Sequence, residues 1–161
     1  MLCFQAQKDY KFNLVLLDDR KFQLAYKGLQ GCQQLLHDTV KLLNSNHDEM
    51  EYFGFRFIDA NSQVSWINLN KTVQSQFKSV SNMHNENNTN EMVVYFSVKY
   101  YQPDPCKLNE STRYLFYLQL RKDILVGRLP LQFDYAVDLF SYFLQSELGD
   151  YHLQPEVRNS S

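Results

Sequence analysis

The spacing of apolar positions along this chain switches between two and nearly four, and each switch marks an element. Phe12-Asn-Leu-Val-Leu-Leu17 is an apolar run of strand length, followed by turn chemistry in Asp18-Asp19-Arg20. Lys21-Phe-Gln-Leu-Ala-Tyr26 alternates as a return strand would, and the Gly28 to Gly31 segment ends the hairpin. From Cys32 to Asn44, the residues Leu35, Leu36, Val40, Leu42 and Leu43 follow a helical stripe. Asn44-Ser-Asn-His-Asp-Glu49 stops that helix, and the acidic Asp48, Glu49 and Glu51 read as a solvated loop. Tyr52-Phe-Gly-Phe-Arg-Phe-Ile58 places Phe53, Phe55 and Phe57 on one strand face. After a turn at Asp59-Ala-Asn-Ser62, Val64 to Leu69 predicts a short strand carrying Trp66. Lys71 to Lys78 predicts one or two helical turns, with Val73 and Phe77 four apart. Ser79 to Glu91 is polar and Asn-rich, has no apolar period, and reads as a mobile loop insertion. Met92 to Tyr101 is the clearest strand.

Strand, strand, helix, strand, strand, short helix, strand is an α+β layout, and its order is that of a ubiquitin-like β-grasp, over residues 1–101. Pro103 and Pro105 then break the pattern, and 102–110 reads as a linker that excludes helix and central strand. Beyond it the character is helical: 111–127, closed by Gly127 and Pro130, and 133–148, with Gly149 at a helix C-terminus. The tail 152–161 is polar and reads as frayed. Two helices with wide aromatic stripes cannot close a core of their own. They need the β-grasp lobe, a partner or further helices.

Composition narrows the classes. The chain has 161 residues, 44% hydrophobic and 21% charged, near a soluble globular average, but 15% aromatic with 12 Phe and 11 Tyr. A net charge of −2 supplies no bulk field toward nucleic acid. No apolar run approaches the roughly 18 residues of a membrane span, and MLCFQAQKDYKF lacks the features of a signal peptide. Cys3, Cys32 and Cys106 read as reduced thiols of a cytosolic protein.

Several strings, in order and with fitting separations, carry a family resemblance: Tyr52-Phe53-Gly54, then Trp66-Ile67, then Val98-Lys-Tyr-Tyr-Gln-Pro-Asp104-Pro105. They are followed by Thr112-Arg113-Tyr114-Leu-Phe-Tyr-Leu-Gln-Leu-Arg-Lys-Asp-Ile124, Gly127-Arg128-Leu-Pro130 and Gln145-Ser-Glu-Leu-Gly149-Asp150-Tyr151. Over roughly Phe12 to Tyr151 the chain resembles FERM domains of the protein 4.1-like branch. The resemblance implies a ubiquitin-like first lobe and the opening of a helical, acyl-CoA-binding-protein-like middle lobe, 111–151. It implies a non-enzymatic adaptor linking cytoplasmic tails of membrane proteins, and often phosphoinositides, to the cortical cytoskeleton. The alternative it leaves open is the targeting region of a multidomain signalling protein, such as a FERM-containing tyrosine phosphatase or Rho exchange factor. The middle lobe stops after about two helices and the third lobe is absent. A truncated isoform, a partial gene model or an excised fragment would each explain that.

The candidate chemistry agrees with an adaptor. There is no Gly-rich phosphate loop, no His pair at i, i+4 among His37, His47, His84 and His152, and no Cys/His cluster of zinc spacing. No catalytic residue, cofactor or metal site is expected. The strings Phe53/Phe55/Phe57 and Tyr114/Phe116/Tyr117 lack the interleaved basic residues of a base-stacking platform and read as core or lobe packing. Asn68-Leu-Asn-Lys-Thr-Val73 matches the stretch where ezrin-like members carry a phosphoinositide-binding Lys pair. Only Lys71 is kept, with Thr72 in the second place, so the implied lipid anchor is one cation contributing about 1 kcal/mol. The other reading of Lys71 is a solvated side chain at a helix start.

Overall fold

The computed structural model describes residues 9–44, 47–59, 61–81 and 91–150. Tyr151, the tail 152–161 and all of the expected Asn-rich loop but its two ends lie outside the described residues. The chain divides into two compact units, Met1–Arg121 and Lys122–Ser161.

The first unit is built on a five-stranded sheet in the order β2-β1-β5-β3-β4. Strand β1 (Asp9–Val15) alternates as the sequence does, with Tyr10, Phe12 and Leu14 buried. It turns back through Asp18–Arg20, where Asp19 takes φ +63° and the Asp18 carboxylate accepts the Arg20 N–H. Strand β2 (Lys21–Lys27) returns antiparallel, Val15 opposite Lys21 and Asp9 opposite Lys27. Helix α1 (Gln33–Leu43) lays Leu35, Thr39 and Val40 on the core and ends at Asn44 in the left-handed region. Thr39 avoids burying a bare hydroxyl by donating to the Leu35 carbonyl at 2.7 Å.

A short 3-10 helix, His47–Tyr52, occupies the stretch expected to be a solvated loop. Its Met50 is buried, an apolar anchor that acidic neighbours conceal in the sequence. Strands β3 (Phe53–Ile58) and β4 (Val64–Trp66) follow; β4 stops three residues short of the expected Leu69. Helix α2 runs Val73–Ser81 rather than 71–78; its start is set by Thr72 Oγ1, which accepts the Ser75 N–H. Strand β5 (Glu91–Val98) enters the middle of the sheet, parallel to β1 and antiparallel to β3. This mixed sheet with a crossing helix is the β-grasp.

The core between sheet and helices is aromatic. Phe77 of α2 meets Phe12 at 5.2 Å and Phe57 at 5.0 Å between ring centroids, and Phe53 stacks on Phe96 at 5.1 Å. The linker also departs from expectation: Pro105–Lys107 forms a 3-10 turn. Pro105 stands first in it, where the missing N–H costs nothing. Helix α3 (Glu110–Leu125) follows, with Thr112, Leu115, Phe116, Leu118 and Gln119 buried. Its first turns belong to the sheet unit because Phe116 packs edge-on to Tyr52 and Phe53, at 5.9 and 5.7 Å. Tyr114 and Tyr117, expected to pack like Phe116, are exposed on the opposite side of the helix. In the second unit, helix α4 (Phe133–Leu148) has the expected bounds and no buried residue. No described helix is long and apolar enough to cross a membrane.

Phe77→Ala should cost about 3–5 kcal/mol, since the emptied site lies between rings on two strands that cannot close over it. Chemical denaturation of the two proteins checks this, and a loss under 1 kcal/mol would contradict the packing described.

Candidate interaction surfaces

With Phe53, Phe55 and Phe57 turned inward, strand periodicity sends Gly54, Arg56 and Ile58 to the other face of β3. The register assembles a row across all five strands of that outer face. Trp66 (β4) pairs with Arg56 (β3), which pairs with Tyr95 (β5), which pairs with Val15 (β1), which pairs with Lys21 (β2). Beside it lies a second row, with Ile58 opposite Val64 and Val93 opposite Asn13. Trp66 is 38% exposed, Tyr95 37%, Val93 45%, Ile58 56% and Val64 65%, an uncovered apolar patch. Gly54 makes room for the indole: a Cβ there would stand 3.0 Å from Trp66 Cζ3. Arg56 lies 5.9 Å from the Trp66 ring and its Nε donates to Ser97 Oγ at 2.9 Å. Lys99 reaches over the same glycine and lies 5.2 Å from the Tyr100 ring.

Lys71 stands at another corner. The Asn68 side chain accepts the Asn70 N–H at 3.0 Å and its carbonyl accepts the Lys71 N–H at 3.1 Å, forming a tight turn. The Lys71 carbonyl takes the Cys32 N–H at 2.9 Å, which ties the turn to the start of α1. The Lys71 side chain is exposed, with no second cation adjacent in sequence.

Most of the other residues singled out by resemblance occupy turns and helix ends. Tyr52 accepts the Lys99 and Tyr100 N–H groups at its carbonyl, and its hydroxyl accepts from Gln102 at 3.3 Å. Asp104 caps the 3-10 turn by accepting the Cys106 N–H at 3.1 Å. Thr112 is buried and Arg113 and Tyr114 are exposed on α3, whose N-terminus is capped by Asn109 accepting the Thr112 N–H at 3.0 Å. Gly127, at φ +74°, ends α3, and Arg128 closes the turn on Asp123 at 2.8 Å. Gly149, at φ +76°, ends α4, with Gln145 donating to Asp150 at 2.7 Å.

Reactive chemistry is muted. Among the described residues no three His, Cys, Asp or Glu side chains gather as metal ligands. Burial pushes the Cys32 thiol up to about 11, so it stays protonated and inert at neutral pH. Burial also raises the Tyr26 hydroxyl, which donates to Asp38 at 2.8 Å. Asp59, the β3–β4 turn residue, is held below the usual carboxylate range, chiefly by the Gln63 N–H, with Asn61 N–H and the Ser65 hydroxyl adding to it. Strand periodicity alone does not assemble the outer face, although the period-two pattern that buries Phe53, Phe55 and Phe57 implies its β3 positions.

Comparison with known proteins places these features in a family context. The family model of the FERM N-terminal domain matches residues 14–79, and that of the FERM central domain matches 103–159. Band 4.1-like protein 4A of Homo sapiens is 36% identical over 157 residues, covering 94% of this chain and 22% of that protein. Protein 4.1 of Mus musculus is 39% identical over 143 residues, covering 88% of this chain and 15% of that protein. The chain thus spans less than a quarter of the length of either relative. In fold it matches the FERM and C-terminal domain complex of Drosophila Merlin, with TM-score 0.74 at 24% identity over 94% of this chain and 49% of that one.

The Asp59 turn should be acid-sensitive. Its folded-state carboxyl titrates below the unfolded value, so its support is complete above about pH 4 and fades as pH falls through the depressed pKa. Amide exchange at Asn61 and Gln63 should therefore accelerate at low pH relative to the rest of the sheet. Asp59→Ala should abolish that local pH dependence, and an identical profile in both proteins would refute it.

Proposed function

Because this chain belongs to the FERM domain family, we propose that it acts as a non-enzymatic linker module, joining cytoplasmic tails of membrane proteins to the cytoskeleton of the cell cortex. The observation that carries this reading is the match to two successive domains of one family, in their order, together with 36% identity to a band 4.1-like protein over 94% of the chain. The exposed patch on the sheet supports work done through surfaces. A tagged form of the chain should concentrate at the cytoplasmic side of the plasma membrane and sediment with the detergent-insoluble cytoskeleton. A diffuse signal and a wholly soluble fraction would sink the linker reading.

Lys71 is the proposed lipid contact within that function. An exposed cation closing a tight turn can meet a phosphoinositide head group with little rearrangement, and the attraction is about 1 kcal/mol. Lys71→Glu reverses the sign of that attraction, so binding to phosphoinositide vesicles should weaken about tenfold at low salt. Co-sedimentation measures it; unchanged binding would leave Lys71 a solvated side chain.

A further inference from the structure

We propose that the outer face of the sheet, centred on Arg56 and the apolar residues Trp66, Ile58 and Val93, is a docking site for an acidic amphipathic helix of a partner protein. This assigns a surface and a partner chemistry to the linker function proposed above and rests on it. Three observations choose the occupant.

The first is backbone accounting. The patch lies on the face of a sheet whose ladder hydrogen bonds run in the sheet plane between β4, β3 and β5. A segment arriving on that face finds no main-chain donors or acceptors, so it must bring a backbone already satisfied, and a helix does. The second is width. Three strands at about 4.8 Å spacing present an apolar strip about 10 Å across, the diameter of one helix.

The third is charge. The chain carries a net charge of −2, yet the first row holds Arg56 and Lys21 and no carboxylate, with Lys99 beside it; Asp59 and Glu91, the latter opposite Lys11, lie beyond the second row. An incoming helix with acidic residues beside its apolar stripe is complementary to this arrangement. A lipid surface fits less well. Arg56 is tethered to Ser97 and lies beside Trp66, which holds its charge within the apolar patch rather than at a rim where it could reach head groups. Val64, Ile58 and Val93 are short, β-branched side chains on sheet strands, and offer no projecting wedge.

Trp66 is the single tryptophan of the chain and sits in the proposed site, so its emission reports occupancy directly. The probe is a synthetic helical peptide of about 18 residues with Leu along one stripe and Glu beside it. A control peptide carries Lys in place of Glu, and phosphatidylserine vesicles form the third arm. Titrated into the full chain, the acidic peptide should change Trp66 emission saturably, and the Lys peptide should bind at least tenfold more weakly. Ile58→Glu and Val93→Glu, both at exposed positions, should each weaken the acidic peptide tenfold or more while leaving the melting temperature nearly unchanged. Should either melt early, Ile58→Ser and Val93→Ser carry the same comparison.

Equal binding of both peptides, unaltered affinity in the variants, or silence of Trp66 at millimolar peptide would each overturn the proposal. So would a Trp66 response to vesicles alone, which would make this a membrane-facing surface. Cortical localisation of the unaltered chain separates the two readings: if it persists while the peptide fails, only this surface assignment falls. If it is lost, the linker function falls with it.

Discussion

The sheet unit depends on the insertion of β5 between β1 and β3. Until Glu91–Val98 is in place, β1 and β2 form one hairpin and β3 and β4 another, with no hydrogen bond joining them. Two-stranded ribbons of this kind are marginal in water. The joining strand comes last in the sheet and pairs with a strand some eighty residues earlier, so loop closure must precede the packing that rewards it. Phe96 and Val94 are nearly wholly buried, and Phe96 meets both Phe53 and Phe55. The end of β5 is held by α3, where buried Gln119 accepts the Val98 N–H at 3.3 Å.

The unusual aromatic content follows from this architecture. A small lobe with a thin core gains more per residue from a ring than from an aliphatic side chain, about 2–3 kcal/mol for full burial. Rings also connect elements that share no backbone hydrogen bonds: Phe77 joins α2 to β1 and β3, and Phe116 joins α3 to Tyr52, Phe53 and Tyr101. The same tightness explains why Gly54 has no Cβ, since the Trp66 indole occupies that space.

Many of the residues that carry the family resemblance shape the chain path. Asp104, Gly127, Arg128, Gln145 and Gly149 cap, stop or brace helix ends, and Tyr52 secures the exit of β5. The outer-face residues Arg56, Ile58, Val93 and Tyr95 lie outside every motif string. Lys71 stands apart as an exposed cation on a turn rigidified from both sides.

The sequence by itself determined the order of the strands and α-helices and the inward face of β3, while α4, for all its apolar stripe, buries no residue. Period-two alternation in β3 and the clean stripe from Phe133 to Leu148 depend only on local spacing. It could not reveal Met50 turning inward from an acidic stretch, or Pro105 opening a 3-10 turn. Nor could it show Phe116 buried while Tyr114 and Tyr117, on the same helix, remain exposed. Those outcomes depend on what lies opposite each side chain. The outer face is the clearest case: Trp66, Arg56, Tyr95, Val15 and Lys21 are scattered over eighty-one positions of sequence and become one row only through the register of four strand pairs. Periodicity assigns a residue to a face; only long-range hydrogen bonding decides its neighbours there.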